Sequence, residues 1–308
     1  MNLFLLLGGL ALLFIAGELL VSGSVKVAYR FKISKLVVGL TVVSLGTSAP
    51  ELFVSIIAAL KGHPDISVGN VVGSNIANIG LVIAITVIFF PIIINKKIVK
   101  VDYPVMLTAT AIFYFIFLYG EANRYVGVGL LLILAVYLIR IIRKSRVETK
   151  ANDDVIPISK KKFYYAIVSI LIGITGLYFG SGWFLEGATG LAKSYGLSDH
   201  VIGVTIVAFG TSVPELATSF MAAYRKHGDI AIGNILGSNV FNIHAVIGST
   251  ALVQNITFSE SLSRDIYWMI GFALLLAPAF YIQRKLNWPF GMVALAGYCF
   301  YIYSSLFG

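Results

Sequence analysis

The sequence predicts an all-α membrane protein, with ten transmembrane helices arranged as two inverted five-helix repeats. Three observations predict it. The 308 residues are 58% hydrophobic and 12% charged, with a mean hydropathy of +0.90, where soluble domains carry about 25% charge. Apolar runs recur along the whole chain at about 20 residues, the length a helix needs to cross a bilayer; a membrane barrel would show alternating segments of about ten residues instead. Finally, one stretch of the chain occurs twice.

The expected spans, in order, are roughly 3–22, 36–60, 67–90, 103–120, 125–142, 163–184, 201–224, 230–252, 266–282 and 288–305. The first is apolar but lacks a basic n-region and a small-residue cleavage site, so it is expected as a retained helix and not a signal peptide. Basic residues collect on cytoplasmic loops. With the N-terminus outside, 19 of the 23 Lys and Arg residues fall on one side, leaving Lys61, Arg124, Lys193 and Arg264 opposite. This expectation places both termini outside a plasma membrane and the central loop in the cytoplasm. It also accounts for the net charge of +9 without a nucleic-acid surface. The domains are then 1–142, a polar linker 143–162, and 163–308. Cys299 is the only cysteine, so neither a disulfide framework nor a thiolate metal site is expected.

Shifting the chain by 164 residues lays Gly39–Ile79 on Gly203–Ile243 without a gap, and 22 of the 41 positions are identical. Five spans per half is an odd number, so the two copies cross in opposite directions. The flanking charges agree: the loop before the first copy holds Lys26, Arg30, Lys32 and Lys35, and its counterpart holds Lys193 with Glu186 and Asp199. Inverted repeats place ion sites at their interface, on interrupted helices near the midplane.

Each copy carries a proline followed by a glutamate inside an apolar run, Pro50-Glu51 and Pro214-Glu215. Proline lacks an N–H and crowds the carbonyl one turn earlier. It therefore frees the carbonyl of Gly46 or Gly210 and weakens the bond to Thr47 or Thr211. A carboxylate at mid-bilayer costs about 2.5 kcal/mol or more, and no Lys or Arg lies at comparable depth to offset it. The next span adds a polar stripe, Asn70, Ser74 and Asn78, repeated as Asn234, Ser238 and Asn242. Beside it Gly69, Gly73 and Ala77 form a small-residue stripe that permits close backbone approach. The donors are all oxygen, which suits Ca2+ or Na+ better than zinc or copper. Two bidentate glutamates with the Thr47 and Thr211 carbonyls would reach the lower end of the six to eight oxygens, or thereabouts, that Ca2+ takes.

These residues resemble the sodium/calcium exchanger family of the cation/Ca2+ antiporter superfamily, in its compact prokaryotic form. The motifs are Gly46-Thr47-Ser48-Ala49-Pro50-Glu51 with Gly73-Ser74-Asn75-Ile76-Ala77-Asn78-Ile79, and Gly210-Thr211-Ser212-Val213-Pro214-Glu215 with Gly237-Ser238-Asn239-Val240-Phe241-Asn242-Ile243. The resemblance implies a secondary antiporter and not an enzyme, with Na+ and Ca2+ as transported ions and no cofactor or obligate protein partner. It implies Ca2+ on Glu51, Glu215 and the Thr47 and Thr211 carbonyls. Na+ sites would add Ser48, Ser74, the Ser44 carbonyl, Ser212, Ser238 and the Ala208 carbonyl, with Asn78 and Asn242 at the central position. It also implies alternating access by sliding of the first and sixth spans, and an electrogenic 3:1 exchange. Asn242 stands where K+-dependent relatives carry Asp, and the Gly-Thr-Ser-x-Pro-Glu form favours Na+ over H+ as counter-ion. H+/Ca2+ antiport or K+-dependent exchange on the same glutamates are the alternatives; a channel and a non-transporting scaffold are weaker ones.

Minor positions carry minor expectations. His63 and His227 are expected as interfacial caps beside Asp65 and Asp229. Glu18 and Glu186 are expected to be solvated. His244 is expected either to touch the cavity or simply to pack.

Overall fold

A computed structural model describes residues 1–151, 159–196 and 208–307. The described chain is helical almost throughout. In order, the helices are α1 (Asn2–Phe31), α2 (Lys35–Thr47), α3 (Ala49–Leu60), α4 (Pro64–Phe89), α5 (Ile98–Tyr119), α6 (Arg124–Ala151), α7 (Lys160–Ser194), α8 (Ala208–Thr211), α9 (Val213–Tyr224), α10 (Gly228–Val253), α11 (Glu260–Gln283) and α12 (Trp288–Phe307). Among the described residues eight helices are long and apolar enough to cross a membrane, and the pair α2–α3, bent by 45°, makes a ninth. The expected span 201–224 begins outside the described residues; its described part is α8 and α9.

Three helices, α1, α6 and α7, outrun their expected limits. α1 has 30 residues and α7 has 35, about 45 and 52 Å at 1.5 Å per residue, against a hydrocarbon layer of about 30 Å. The charged ends stay helical because nothing in them breaks the ladder until Lys32. That residue takes a left-handed conformation and returns its N–H to the Ala28 and Tyr29 carbonyls, a C-terminal cap. α1 and α7 lie against each other backbone to backbone. A Cβ at Gly9 would overlap the Phe184 backbone, and one at Gly187 the Leu6 backbone.

The core of the molecule is α4 and α10, whose most apolar 18-residue stretches are 83% and 100% buried, against 22% for α6 and 17% for α12. Large apolar side chains such as Phe4, Phe115, Tyr119, Leu132 and Phe300 are exposed, as a lipid-facing surface requires. Both core helices widen to a π-helical turn at the same motif position, Asn78–Ile83 and Asn242–Ile247. Such single turns concentrate at functional sites.

Four two-residue strands complete the fold: β1 (Ile92–Ile93), β2 (Glu121–Ala122), β3 (Ile256–Thr257) and β4 (Lys285–Leu286). β1 pairs antiparallel with β4, with Ile92 opposite Leu286, and β2 pairs with β3, with Glu121 opposite Thr257. The 164-residue shift that relates the motifs also carries β1 onto β3 and β2 onto β4. Each ladder thus ties a loop of one half to a loop of the other.

Candidate cation site

The first motif sits at a helix break. Backbone bonding ends with Ser48 N–H on the Ser44 carbonyl and resumes with Leu52 N–H on the Ser48 carbonyl. Ser48, at φ −85° and ψ 4°, separates α2 from α3. The carbonyls of Leu45, Gly46 and Thr47 fall in that gap, as Pro50 dictates. The second copy breaks at the equivalent place, with Ser212 at φ −92° and ψ 3° between α8 and α9. Each break starts a new helix, and Glu51 and Glu215 stand in the first turns of α3 and α9. The helix dipole favours a negative charge there. The Ser-x-Pro-Glu pattern is itself a helix-start signal, so this position was readable, although the break was the feature expected.

Both glutamates are 1% exposed. The copies interlock around them. Ser48 Oγ donates to Glu215 Oε1 at 3.2 Å, and the Thr47 and Ser238 hydroxyls lie beside the same carboxylate. Thr47 Oγ1 also donates to Asn234 Oδ1 at 3.1 Å and lies 3.4 Å from Ser238 Oγ. Ser44, fully buried, presents its carbonyl to Thr47 at 3.4 Å. Thr211 and the Ala208 backbone belong to α8.

Among the described residues, seven buried oxygens of the two motifs have no hydrogen-bond partner: both of Glu51, Oε2 of Glu215, Oγ of Ser74 and Ser212, and Oδ1 of Asn78 and Asn242. Buried polar atoms are otherwise almost always paired, and an unpaired ion is costlier still. Among the described residues no group of three His, Cys, Asp or Glu gathers anywhere. Charge here comes from two carboxylates, with neutral oxygens around them. Such a set binds hard cations.

Asn70 and Asn234 act as tethers through their amide nitrogens. Asn70 Nδ2 donates to Ser55 Oγ at 3.0 Å and to the Glu51 carbonyl at 3.2 Å, and Asn234 Nδ2 to Ser219 Oγ at 3.0 Å. Their amide N–H groups join the glutamate helices to α4 and α10. On α10 a Cβ at Gly233 would lie 2.7 Å from the Leu36 carbonyl; the segment 200–204, which the repeat would set against the Gly69–Gly73 stripe of α4, lies outside the described residues. His63 and His227 begin α4 and α10 but make no side-chain cap bond. Instead Lys35 Nζ lies 3.3 Å from His227 Nδ1, which an amine donor holds as an acceptor.

The remaining positions divide. Glu18 is not simply solvated: it pairs with Arg225 at 2.9 Å, joining α1 to the turn between α9 and α10. Glu186 is exposed, as expected. His244 packs. Its Nδ1 meets the Val240 carbonyl at 3.0 Å, and it lines a cleft of about 590 Å³ between α5 and α6. Asn75 and Asn239 belong to the quoted motifs but carried no expected role, although both are buried and bonded across the two copies.

The sodium/calcium exchanger protein family model matches residues 1–143 and 165–307, nearly the whole chain. The chain belongs to the sodium/calcium exchanger family. Its similarity extends to the sodium/calcium exchanger MaX1 of Methanosarcina acetivorans, 30% identical over 84% of this chain and 85% of that one. It extends also to the inner membrane protein YrbG of Escherichia coli, 31% identical over 88% and 87%. Among solved structures, the sodium-calcium exchanger NCX_Mj soaked with Na+ and Ca2+ superposes with a TM-score of 0.85 at 32% identity, covering 98% of each chain. Members of this exchanger family are membrane transporters, not enzymes. The chain is accordingly a multi-pass membrane protein of cation/Ca2+ antiport.

Proposed function

We propose that the protein exchanges Na+ for Ca2+ across the plasma membrane by alternating access. One observation carries the reading: two buried glutamates that no cation among the described residues neutralises, set among buried oxygens without partners there. Ca2+ binds Glu51, Glu215 and the Thr47 and Thr211 carbonyls. Na+ ions use these groups together with Ser48, Ser74, Ser212, Ser238 and the Ser44 and Ala208 carbonyls, and Asn78 and Asn242 line the centre. One Ca2+ neutralises the two carboxylates, whereas three Na+ leave a surplus positive charge, so a 3:1 exchange is electrogenic. Occluding two bare carboxylates costs several kcal/mol per ion, and this barrier suppresses return of the empty carrier.

The architecture proposed with it is ten spans in two inverted halves, 1–142 and 163–308, joined by a cytoplasmic linker 143–162 with both termini outside.

The test is tracer Ca2+ uptake into vesicles filled with Na+ and diluted into Na+-free medium, beside vesicles filled with K+ and vesicles holding only a pH gradient. Uptake should require internal Na+, and Glu51→Gln or Glu215→Gln should abolish it. Uptake driven by the pH gradient alone would move the counter-ion to H+. Unchanged uptake in Glu51→Gln would remove that residue from the site.

A further inference from the structure

An amide side chain is ambiguous as a cation ligand: one end attracts the ion and the other repels it. Asn78 and Asn242 must therefore be held in one sense if their oxygens are to serve. Four buried asparagines, two on each core helix, form the crossed pairs that hold them. Asn78 Nδ2 donates to Asn239 Oδ1 at 2.9 Å, and Asn242 Nδ2 donates to Asn75 Oδ1 at 3.1 Å. The sense of these bonds is fixed one step further out. Asn239 Nδ2 lies 3.6 Å from Met106 Sδ on α5. Asn75 Nδ2 lies 3.8 Å from Met269 Sδ on α11 and 3.4 Å from the Asn239 carbonyl.

A thioether sulfur and a backbone carbonyl can only accept. They compel the amide nitrogens of Asn239 and Asn75 to face them and turn both Oδ1 atoms inward. Those oxygens in turn compel the nitrogens of Asn78 and Asn242 to face them. What remains is Oδ1 of Asn78 and Oδ1 of Asn242, both buried without a partner. Flipping either inner amide would set its oxygen against the Oδ1 of its partner, acceptor facing acceptor, and would aim a donor at the ion.

We infer that Asn75 and Asn239 are positioning residues, polarised by Met269 and Met106, that orient Asn242 and Asn78 with their carbonyl oxygens toward the transported cations. The inference rests on the cation-site reading above. It assigns a role to two motif positions that the ligand set leaves unused. Each core helix thereby orients the amide oxygen that the other presents to the centre of the site.

The test is equilibrium binding of tracer Ca2+ to the purified full-length protein, which needs no coupled transport. Asn239→Leu keeps approximate volume but removes the acceptor, and should weaken binding about tenfold or more, as loss of an outer-shell partner does at metal sites. Asn239→Asp keeps an oxygen toward Asn78 in either protonation state and should bind within about threefold of wild type. Asn78→Ala should weaken binding, and adding Asn239→Leu to it should weaken it no further, because a residue acting only through its neighbour shows full coupling in a double-mutant cycle. A merely structural asparagine would instead give additive losses. Equal binding by Asn239→Leu and wild type, or a loss in Asn239→Asp as large as in Asn239→Leu, would overturn the inference while leaving the site reading intact. Wild type that binds no Ca2+ would overturn the site reading, and the inference with it. Monodisperse elution of each variant on size exclusion separates unfolding from lost binding, and the Asp variant decides if the Leu variant does not fold.

Discussion

A buried carboxylate can be relieved by a protein cation, by hydrogen-bond donors, or by a cation from outside. Glu215 has donors around it, with Ser48 at 3.2 Å, whereas neither oxygen of Glu51 has any. The pair is thus chemically unequal although its sequence context is nearly identical. Ser48 is pulled across to Glu215, but its equivalent, Ser212, has an unpartnered hydroxyl. Sequence made both glutamates conspicuous, because a charge in an apolar run has a cost that must be met. It could not show this inequality, which depends on how the two copies pack against each other. At the same scale, His227 is a simpler probe. It is a partly buried loop residue whose pKa lies below the ordinary 6.5, through burial first and then the neighbouring Lys35 ammonium, with Glu18 and Asp229 opposing. The unfolded chain therefore binds more protons than the folded chain in the window just below 6.5, and stability rises with pH through it. Thermal unfolding should show stability falling as pH drops from about 7 into that window, and His227→Gln should flatten the fall. An unchanged pH dependence in the variant would mean that other groups cause it.

At the scale of elements, the decisive feature is the break between α2 and α3 and not either helix alone. Pro50 occupies the first turn of α3, where its missing N–H does no harm to that helix, while it denies the Gly46 carbonyl its partner. Pro50→Ala would restore the N–H, extend α2 toward α3 and draw Glu51 out of place. The expected outcome is Ca2+ binding weakened about tenfold or more, with no loss of thermal stability, since a helical bond is gained. Measuring both on one preparation checks it, and unaltered affinity would show that the bend is set by packing and not by proline. The break was legible from Pro50 alone. The π-helical turns at Asn78 and Asn242 were not, because an extra residue in a turn leaves the apolar pattern of a fully buried helix unchanged. The lengths of α1, α6 and α7 were missed for a related reason. Hydropathy marks where a helix leaves the membrane, but the helix itself ends only where a cap or breaker ends it.

At the scale of the whole molecule, the 164-residue shift does more than align two motifs. It relates the helix breaks, the π-helical turns and the four short strands, which pair crosswise between the halves. A parallel repeat and an inverted one would share that sequence relation but differ in a property that chemistry can read. Lys61 and Arg225 are exact equivalents under the shift, each in the turn that follows a glutamate helix. In an inverted repeat they lie on opposite sides of the membrane; in a parallel repeat they lie on one. Cys299 is the only cysteine, so Cys299→Ser gives a clean background for Lys61→Cys and Arg225→Cys. Losing the exposed Glu18–Arg225 pair should cost at most about 1 kcal/mol, so the second variant should still fold. A membrane-impermeant maleimide applied to intact cells should label the Lys61→Cys protein at once and the Arg225→Cys protein only after permeabilisation. That result fixes both the inversion and the outward position of the N-terminus, because the distribution of basic residues ties the two together. Labelling of both from outside would require the halves to run parallel. The exchange mechanism would then lose its geometric basis, since two equal half-sites that face the same way cannot offer one ion alternately to both sides.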